Sequence, residues 1–203
     1  MADADSPTLA EKQQQFSEYF MIAHSLNVNV KLLPDDFMMP SLAGMEASMP
    51  YAFRIASELS EVESKALRPL RGLADHAQEL VDFLNHQSRK IDLIMSYILQ
   101  QQDDEDARFT TVRFGGGGLV VDSATAIEIG SKAELKIFLT QEASAVYCLG
   151  EAIGCESVDE RFHVSFIFNR IRELDQELLV RASLHLQTQQ LRQRSKQDGG
   201  LNE

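Results

Sequence analysis

The clearest periodic pattern in the chain is a run of apolar residues at heptad spacing between Leu70 and Gln101. Alternating steps of three and four residues keep these side chains on one stripe of an α-helix, and a sustained seven-residue period favours a left-handed coiled coil. Apolar neighbours such as Phe83 and Tyr97 make the stripe wider than a two-stranded coil can bury, which favours three or four helices. We therefore predict a self-associating chain, a homotetramer, whose contact positions are Leu70, Leu73, Ala77, Leu80, Leu84, Gln87, Ile91, Ile94 and Ile98.

A long core helix packed on its own domain is the alternative interpretation of this pattern. Steps of three and four also connect apolar residues from Ala52 to Ala66, so residues 51–102 are predicted to form one long helical oligomerisation segment. Two successive steps of four residues occur near Ala66, and Pro69 follows. Both features predict a kink or break at residues 65–69.

Alternation with a period of two predicts β-strands on both sides of this helical segment. Leu26–Leu33 alternates apolar and polar residues, and a lone strand needs partners from another part of the chain. Residues 109–168 contain several short strands separated by turns, a pattern typical of an antiparallel barrel or sandwich. We predict that the first strand pairs with the later ones, so that the helical segment is an insertion within one domain.

The remaining segments complete an α+β domain plan. Residues 1–15 are polar and Gln-rich, which predicts a disordered tail. Residues 16–50 supply the N-terminal strand and a methionine-containing connector that belong to the barrel. Residues 107–197 form the barrel and a C-terminal helix, whose acidic first turns and basic last turns complement the helix dipole.

Charge and composition exclude several function classes. The net charge is −12 and the pI is about 4.8, so binding to a nucleic-acid polymer is disfavoured. No apolar run is long enough to predict a membrane span, and residues 1–15 lack the basic and apolar regions of a secretory signal. A cytoplasmic location is therefore predicted. Cys148 and Cys155 do not form a metal-binding motif and are interpreted as inert thiols.

The four consecutive glycines at residues 115–118 are the most conspicuous local motif. A phosphate-binding glycine loop leads from a strand into a helix, whereas Leu119–Val121 continue a sheet. A sharp bend in a barrel strand is therefore the better interpretation. The five histidines are scattered and no serine lies in a nucleophile motif, so we predict neither an enzyme nor a metal site.

Three stretches resemble the PilZ domain: RFGGGGLVVDS, IGSKAELKIFL and FHVSFIFNRIRELDQELLVRASL. The attached heptad helix looks like the atypical, tetramer-forming branch of that family. The resemblance implies a six-stranded barrel closed by a C-terminal helix, and a regulatory role in bacterial cyclic di-GMP signalling.

The nucleotide-binding motifs of the PilZ family are altered in this chain. An Arg-x-x-x-Arg motif precedes the first barrel strand in typical members, but here the acidic residues before the strand are followed by Arg108 alone. The second family motif, Asp/Asn-x-Ser-x-x-Gly, places Arg113 at the acidic position, Gly115 at the serine and Gly118 at the matching glycine. Each lost hydrogen-bond partner costs about 1–3 kcal/mol, and nearby carboxylates repel phosphates. The resemblance therefore implies a degenerate nucleotide site at these four residues.

Two functions remain open at this stage. The first is a non-enzymatic adaptor that contacts other signalling proteins and requires no cofactor. The alternative is an atypical receptor that binds cyclic di-GMP through Arg108, Arg113 and the glycine turn in an altered mode.

Overall fold

The computed structural model describes residues 7–70 and 78–199 of the chain. Its helices are α1 (Leu9–Glu18), α2 (Leu42–Ser48), α3 (Tyr51–Leu70), α4 (Gln78–Gln100) and α5 (Glu173–Gly199). Its strands are β1 (Met21–Ala23), β2 (Asn27–Leu32), β3 (Arg108–Gly115), β4 (Gly118–Ser123), β5 (Lys132–Leu139), β6 (Ser144–Val158) and β7 (Arg161–Arg170). Short 3-10 turns precede β3, at Glu105–Ala107, and β6, at Thr140–Glu142.

Six of these strands close into an antiparallel barrel in the order β3, β2, β5, β6, β7 and β4, with β4 pairing back to β3. Alternate residues of each strand point inward, and the resulting interior is apolar because the period of two is maintained. In β7, for example, Val164 and Phe166 are fully buried in this interior. The predicted α+β fold with a PilZ-like barrel is confirmed.

The N-terminal strand is part of the barrel wall, as predicted. Val28 of β2 lies opposite Ile137 of β5 on one side and Phe109 of β3 on the other. The short strand β1 pairs farther along β3. The hydroxyl of Thr111 connects the two segments, since it accepts a hydrogen bond from the amide of Leu26 and donates one to the carbonyl of His24.

Helix α5 closes the barrel, as predicted for the C-terminal helix. Its buried residues Leu179 and Ala182 belong to the same apolar cluster as the strands. Near its start, the buried carboxylate of Asp175 accepts two hydrogen bonds from Arg172, and it accepts one from the Ser57 hydroxyl of α3. Burial raises the pKa of Asp175, while Arg172 opposes that shift. This polar contact joins α3 to the start of α5.

The prediction of a disordered tail over residues 1–15 is wrong for the residues from Leu9 onward, which belong to helix α1. Thr8 and Glu11 form a capping box at the start of that helix. Phe16 is its buried residue and packs on the outer face of the barrel. A helix with so little apolar surface is stable there because Lys12 also forms an ion pair with Glu151 of β6, at 2.7 Å. Residues 1–6 lie outside the described part of the chain.

The helical segment predicted over residues 51–102 contains two described helices, α3 and α4, which contact each other. Phe53 at the start of α3 and Leu99 at the end of α4 belong to one buried cluster, beside Tyr147 of the barrel. The two helices therefore leave the barrel side by side and run in opposite directions. A periodic sequence specifies a helical face but not a chain reversal, and α3 continues past the predicted break to Leu70.

The predicted seam is an exposed face of α4 in the single chain. Leu80, Ile91, Ile94 and Ile98 have 53%, 45%, 59% and 37% of their surface exposed, and Leu84 and Gln87 are half-buried. The side chains of Leu70, Leu73 and Ala77 lie outside the described residues. The residues of α4 that do pack on the barrel, Met95 and Leu99, lie beside the seam. Packing among the described residues thus leaves Leu80, Ile91, Ile94 and Ile98 exposed, and the coiled coil remains a prediction.

Candidate ligand site on the barrel

The four glycines form a tight β-hairpin on the barrel wall. Phe114 of β3 lies opposite Leu119 of β4, and Gly116 and Gly117 make the turn between the strands. All four glycines are buried. The motif is therefore a bend between paired strands, as predicted from the apolar residues that follow it, and no helix begins there.

Glycine is required at these positions because other parts of the chain approach the backbone closely. A Cβ atom on Gly115 would lie 2.1 Å from the carbonyl oxygen of Phe20, and one on Gly118 would lie 2.2 Å from that of Phe166. Both distances are far inside van der Waals contact, so a larger residue would force the backbone apart.

Two further segments lie directly on the turn itself. The ring of Tyr19 occupies the position of a Cβ on Gly117, and Val180 of α5 lies 2.6 Å from a Cβ built on Gly116. The side chain of Gln176 donates a hydrogen bond to the Gly116 carbonyl, at 3.0 Å. The turn is thus enclosed by the segment that follows α1 on one side and by α5 on the other.

Arg108 is held by acidic side chains from the segment before β3. Its guanidinium contacts Asp103 at 2.9 Å and Glu105 at 3.4 Å. The buried amide of Asn29 fixes this segment, because it donates to Asp103 and to the Asp104 carbonyl and accepts from the Asp104 amide. The ion pairs are partly exposed and contribute little stability. They nevertheless place two carboxylates against the guanidinium of Arg108, the positive group that a phosphate would need.

Arg113 is exposed and lies near the glycine turn, where β3 pairs with β1. No described residue forms a hydrogen bond or an ion pair with its side chain. Arg113 and Arg108 are five residues apart on one strand, a separation of about 16 Å at about 3.3 Å per residue. The structure therefore does not bring the two predicted arginines together. It brings Gly115 and Gly118 together at one hairpin, which Phe16 and Phe20 cover.

A larger opening lies elsewhere, between α1, the connector after β2, the start of β5, the middle of β6 and the end of β7. We call it the connector cleft. It has a volume of about 750 Å³, within the usual range for ligand pockets. Sequence reasoning missed this site because its walls come from five separate stretches of the chain: α1, residues 35–39, Lys132, Glu151, and residues 167–170. No local motif signals such an assembly.

In the part of the chain that is described, no arrangement of side chains suits metal or thiol chemistry. No group of three His, Cys, Asp or Glu residues is placed there to hold a metal ion. Both cysteines are free, and burial raises the pKa of the Cys148 thiol. Among the described helices, none is both long enough and apolar enough to cross a bilayer.

Neither a protein-family model nor a curated protein sequence matches the chain. Solved structures do match. One is a pathogenic protein of Xanthomonas campestris, a tetrameric PilZ domain that self-assembles through an unusual helical bundle. It is 17% identical, with a TM-score of 0.52, and the match covers 89% of this chain and 95% of the other. Another is the inhibitor of motility MotI/DgrA of Bacillus subtilis, at 18% identity and a TM-score of 0.39, over 40% and 42% of the two chains.

The match to the Xanthomonas structure extends over nearly the whole of both chains. This chain therefore has the fold of a PilZ domain. Because the matched structure is a tetrameric PilZ domain, the resemblance to the tetramer-forming branch is confirmed at the level of the fold.

Proposed function

We propose that this protein is a non-enzymatic PilZ-type adaptor of bacterial cyclic di-GMP signalling, which acts in the cytoplasm through contacts with other proteins. One observation carries the proposal: the chain itself covers the hairpin that corresponds to the nucleotide-binding motif. Phe16, Tyr19 and Phe20 lie against Gly118, Gly117 and Gly115.

The covering segment would have to move before a dinucleotide could reach the hairpin. Moving it would expose Phe16 and break the ion pair between Lys12 and Glu151, and ligand binding would have to offset both losses. Arg108 would also have to leave Asp103, since one guanidinium cannot serve both partners fully. Three separate costs thus oppose the usual binding mode.

Self-association is the second part of the proposal. The exposed seam of α4 includes Ile91, Ile94 and Ile98, with Phe83 and Tyr97 beside it. Contiguous apolar surface of this kind marks an interaction site in a protein that functions in water. The Xanthomonas protein of the same fold assembles through a helical bundle. A tetramer of this chain would present four barrels together, which raises the avidity for a multivalent partner.

The alternative function is an atypical cyclic di-GMP receptor. The observation that favours it is the exposed side chain of Arg113, which has no partner among the described residues and lies two positions before the glycines. A guanidinium in that place is available to a phosphate. Such a receptor would bind the dinucleotide outside the hairpin, without the acceptor and hydroxyl groups of the family motif.

Isothermal titration of the intact protein with cyclic di-GMP separates the two functions. The variants are Arg108→Ala and Arg113→Ala. Arg54→Ala is the matched control, because its exposed guanidinium lies over the ring of Tyr51 on α3, a helix that packs against β6. The adaptor predicts no binding heat at high protein concentration. Micromolar or tighter binding that the first two changes abolish and the control retains would establish the receptor and refute the adaptor.

A further inference from the structure

Helix α1 lies on an apolar patch of the outer barrel wall. The patch consists of Val120 of β4, Ile153 of β6 and Ile167 of β7, and we call it the outer patch. These side chains form a buried cluster with Phe16 that is separate from the cluster inside the barrel. They point away from the interior, because their neighbours along the strands belong to the interior cluster. Helix α1 therefore covers apolar wall that would otherwise face water.

Strand β6 is shaped to meet a helix at this patch. Its pairing with β7 shifts register between Ala152 and Gly154, which leaves Ile153 as the extra residue of a β-bulge. A bulge redirects the backbone and the side chain of its extra residue. The side chain of Ile153 lies in the outer patch, and its carbonyl oxygen accepts a hydrogen bond from the Gln13 side chain of α1, at 2.7 Å. Both groups of Ile153 are thus directed at the helix.

Three side chains of α1 attach it to the barrel from one face of the helix. Lys12 pairs with both carboxylate oxygens of Glu151 at 2.7 Å, and Phe16 lies four residues later on the same face. Gln13, beside Lys12, reaches the bulge. Of the ten residues of α1, Phe16 is the buried one. Helices shorter than about 12 residues are marginally stable on their own, so we expect α1 to open locally while the barrel stays folded.

The nature of these three contacts determines what can replace α1. A dinucleotide that displaced the helix would leave the outer patch exposed and Glu151 without its cation. A second helix with a basic residue, a side-chain donor directly after it, and an aromatic residue four positions after the basic one would form all three contacts again. Such a helix makes the contacts that α1 makes, and α1 is favoured by its higher effective concentration.

We propose that the outer patch, with the Glu151 carboxylate and the Ile153 carbonyl, docks a helix of a partner protein, and that α1 occupies this surface as an internal competitor. The partner helix pairs an arginine or lysine with Glu151, donates to the Ile153 carbonyl from the next side chain, and packs an aromatic ring on the outer patch. Opening of α1 then controls access to the surface. This inference rests on the proposed adaptor function, for which it names a docking surface and the chemistry of the partner.

A peptide of residues 7–18 is a suitable probe, because it carries the three contact side chains at their native spacing. A side-chain bridge between positions 10 and 14, which are both exposed in α1, holds the peptide helical and reduces the entropy that it loses on binding. A fluorophore at its N-terminus reports binding to the full-length protein by anisotropy. The wild-type protein should bind it weakly, because α1 occupies the surface in most molecules.

Two variants of the protein free the surface without changing it. Phe16→Ala removes the buried side chain of α1, and Lys12→Glu replaces the ion pair with two facing carboxylates. Each should strengthen peptide binding about tenfold, because the fraction of open molecules rises. Lys31→Glu is the matched control, since it makes the same charge change at an exposed residue of β2, on the opposite side of the barrel from β7. It should leave the affinity of the wild-type protein unchanged.

Altered peptides test the chemistry of the partner helix. Peptides with Phe16→Ala or with Lys12→Glu should bind the opened protein about tenfold more weakly than the unaltered peptide, because each lacks one of the contacts. A charge exchange tests the ion pair directly. Protein with Glu151→Lys should bind the Lys12→Glu peptide more tightly than the unaltered one, which reverses the preference of the opened protein.

Equal affinities of the wild-type, Phe16→Ala and Lys12→Glu proteins would show that α1 does not block the surface and would overturn the proposal. Equal binding of altered and unaltered peptides, or no binding to any of these proteins, would overturn it as well. A dimer of the Leu84→Asp, Ile91→Asp protein that Phe16→Ala abolishes would identify a second copy as the occupant, against a partner protein. Each of these failures concerns the outer patch and leaves the adaptor function standing. That function is tested separately by the cyclic di-GMP titration, in which the peptide is absent.

Discussion

Helices α1 and α4 both carry apolar residues, yet the barrel uses them differently. Helix α1 has ten residues, and its buried residue, Phe16, lies against the outer wall of the barrel. Helix α4 has twenty-three residues and a much stronger apolar pattern, yet Met95 and Leu99 are its buried side chains within the described range. Helix α1, with the weak apolar pattern, therefore packs its apolar residue within the chain. Helix α4, with the strong pattern, leaves most of its apolar face exposed.

The difference shows that the strength of an apolar pattern does not identify the surface that covers it. Phe16 finds a complementary wall in Val120, Ile153 and Ile167, an outward apolar patch on three barrel strands. Burial of one aromatic side chain and a partly buried ion pair together fix α1 at that patch. The seam of α4 has no such wall within the described chain, and we therefore assign it to other copies of the protein.

The largest expected effect comes from placing charge on the exposed face of α4. Leu84→Asp with Ile91→Asp should convert the assembled protein to monomers, because buried carboxylates without partners are strongly disfavoured. The measurement is light scattering coupled to gel filtration. Asn85→Asp with Gln100→Asp adds the same charge at exposed positions outside the seam and should leave the mass unchanged. A wild-type monomer at micromolar concentration would contradict the assignment of this face.

The next effect concerns the hairpin beneath α1. Gly118→Ala places a methyl group against the carbonyl of Phe166 and the ring of Phe16, so we expect a loss of about 3 kcal/mol in the free energy of unfolding. Gly154→Ala on β6 is the control, because its Cβ would lie 3.7 Å from Ser165 in ordinary contact. Chemical denaturation measures both. Equal destabilisation of the two variants would show that the hairpin is not closely covered.

A smaller effect is expected from the buried residue of α1 itself. Phe16→Ala should reduce the free energy of unfolding by about 2 kcal/mol, somewhat less than for a residue in a barrel interior. Leu9→Ala on the same helix is the control, since Leu9 is 41% exposed and should change stability little. If the two variants unfold at the same denaturant concentration, α1 does not pack on the barrel in solution.

The smallest effect tests the start of α1. Thr8→Ala removes the capping side chain and should cost about 1 kcal/mol. The pKa of Glu11 is lowered first by the hydrogen bond from the Thr8 backbone amide and second by the one from the Thr8 hydroxyl. The part of the Thr8→Ala effect that comes from the hydroxyl–carboxylate bond should therefore be present above pH 4.5 and be lost as the pH falls through the lowered pKa, while the part from the bond that the Glu11 amide donates to the hydroxyl remains. Thermal unfolding at neutral and acidic pH measures it. A Thr8→Ala effect that persists unchanged in acid would contradict the capping box.

The barrel could be predicted from the sequence because its strands alternate over their full length. Val164 and Phe166 of β7 face inward as that alternation requires, and Leu26–Leu33 pairs with strands more than seventy residues away. The glycine turn was also predictable, since Leu119 and Val120 continue a strand. Each of these inferences depends on a local pattern that the fold preserves.

Helix α1 and the connector cleft could not be predicted in the same way. The composition of residues 1–15 indicates disorder, and the signal that was available, the capping box of Thr8 and Glu11, is short. The helix persists because of Phe16 and Lys12, whose partners are more than a hundred residues away. The cleft depends on such distant contacts at every wall. A break in the helical segment was predicted near residues 65–69, but the packing of α4 against α3 was not, because heptad spacing is the same for either direction of the chain.

The exposed length of α4 also determines how far the barrel stands from whatever that helix binds. No described side chain from Leu80 to Ile94 is buried, and this stretch measures about 22 Å at about 1.5 Å per residue. The helix ends against the barrel at Leu99, so the stretch behaves as a stiff spacer rather than a tether. In the proposed assembly the distance between two barrels is therefore fixed by rigid helices, and a partner that engages both barrels needs a linker matched to that distance.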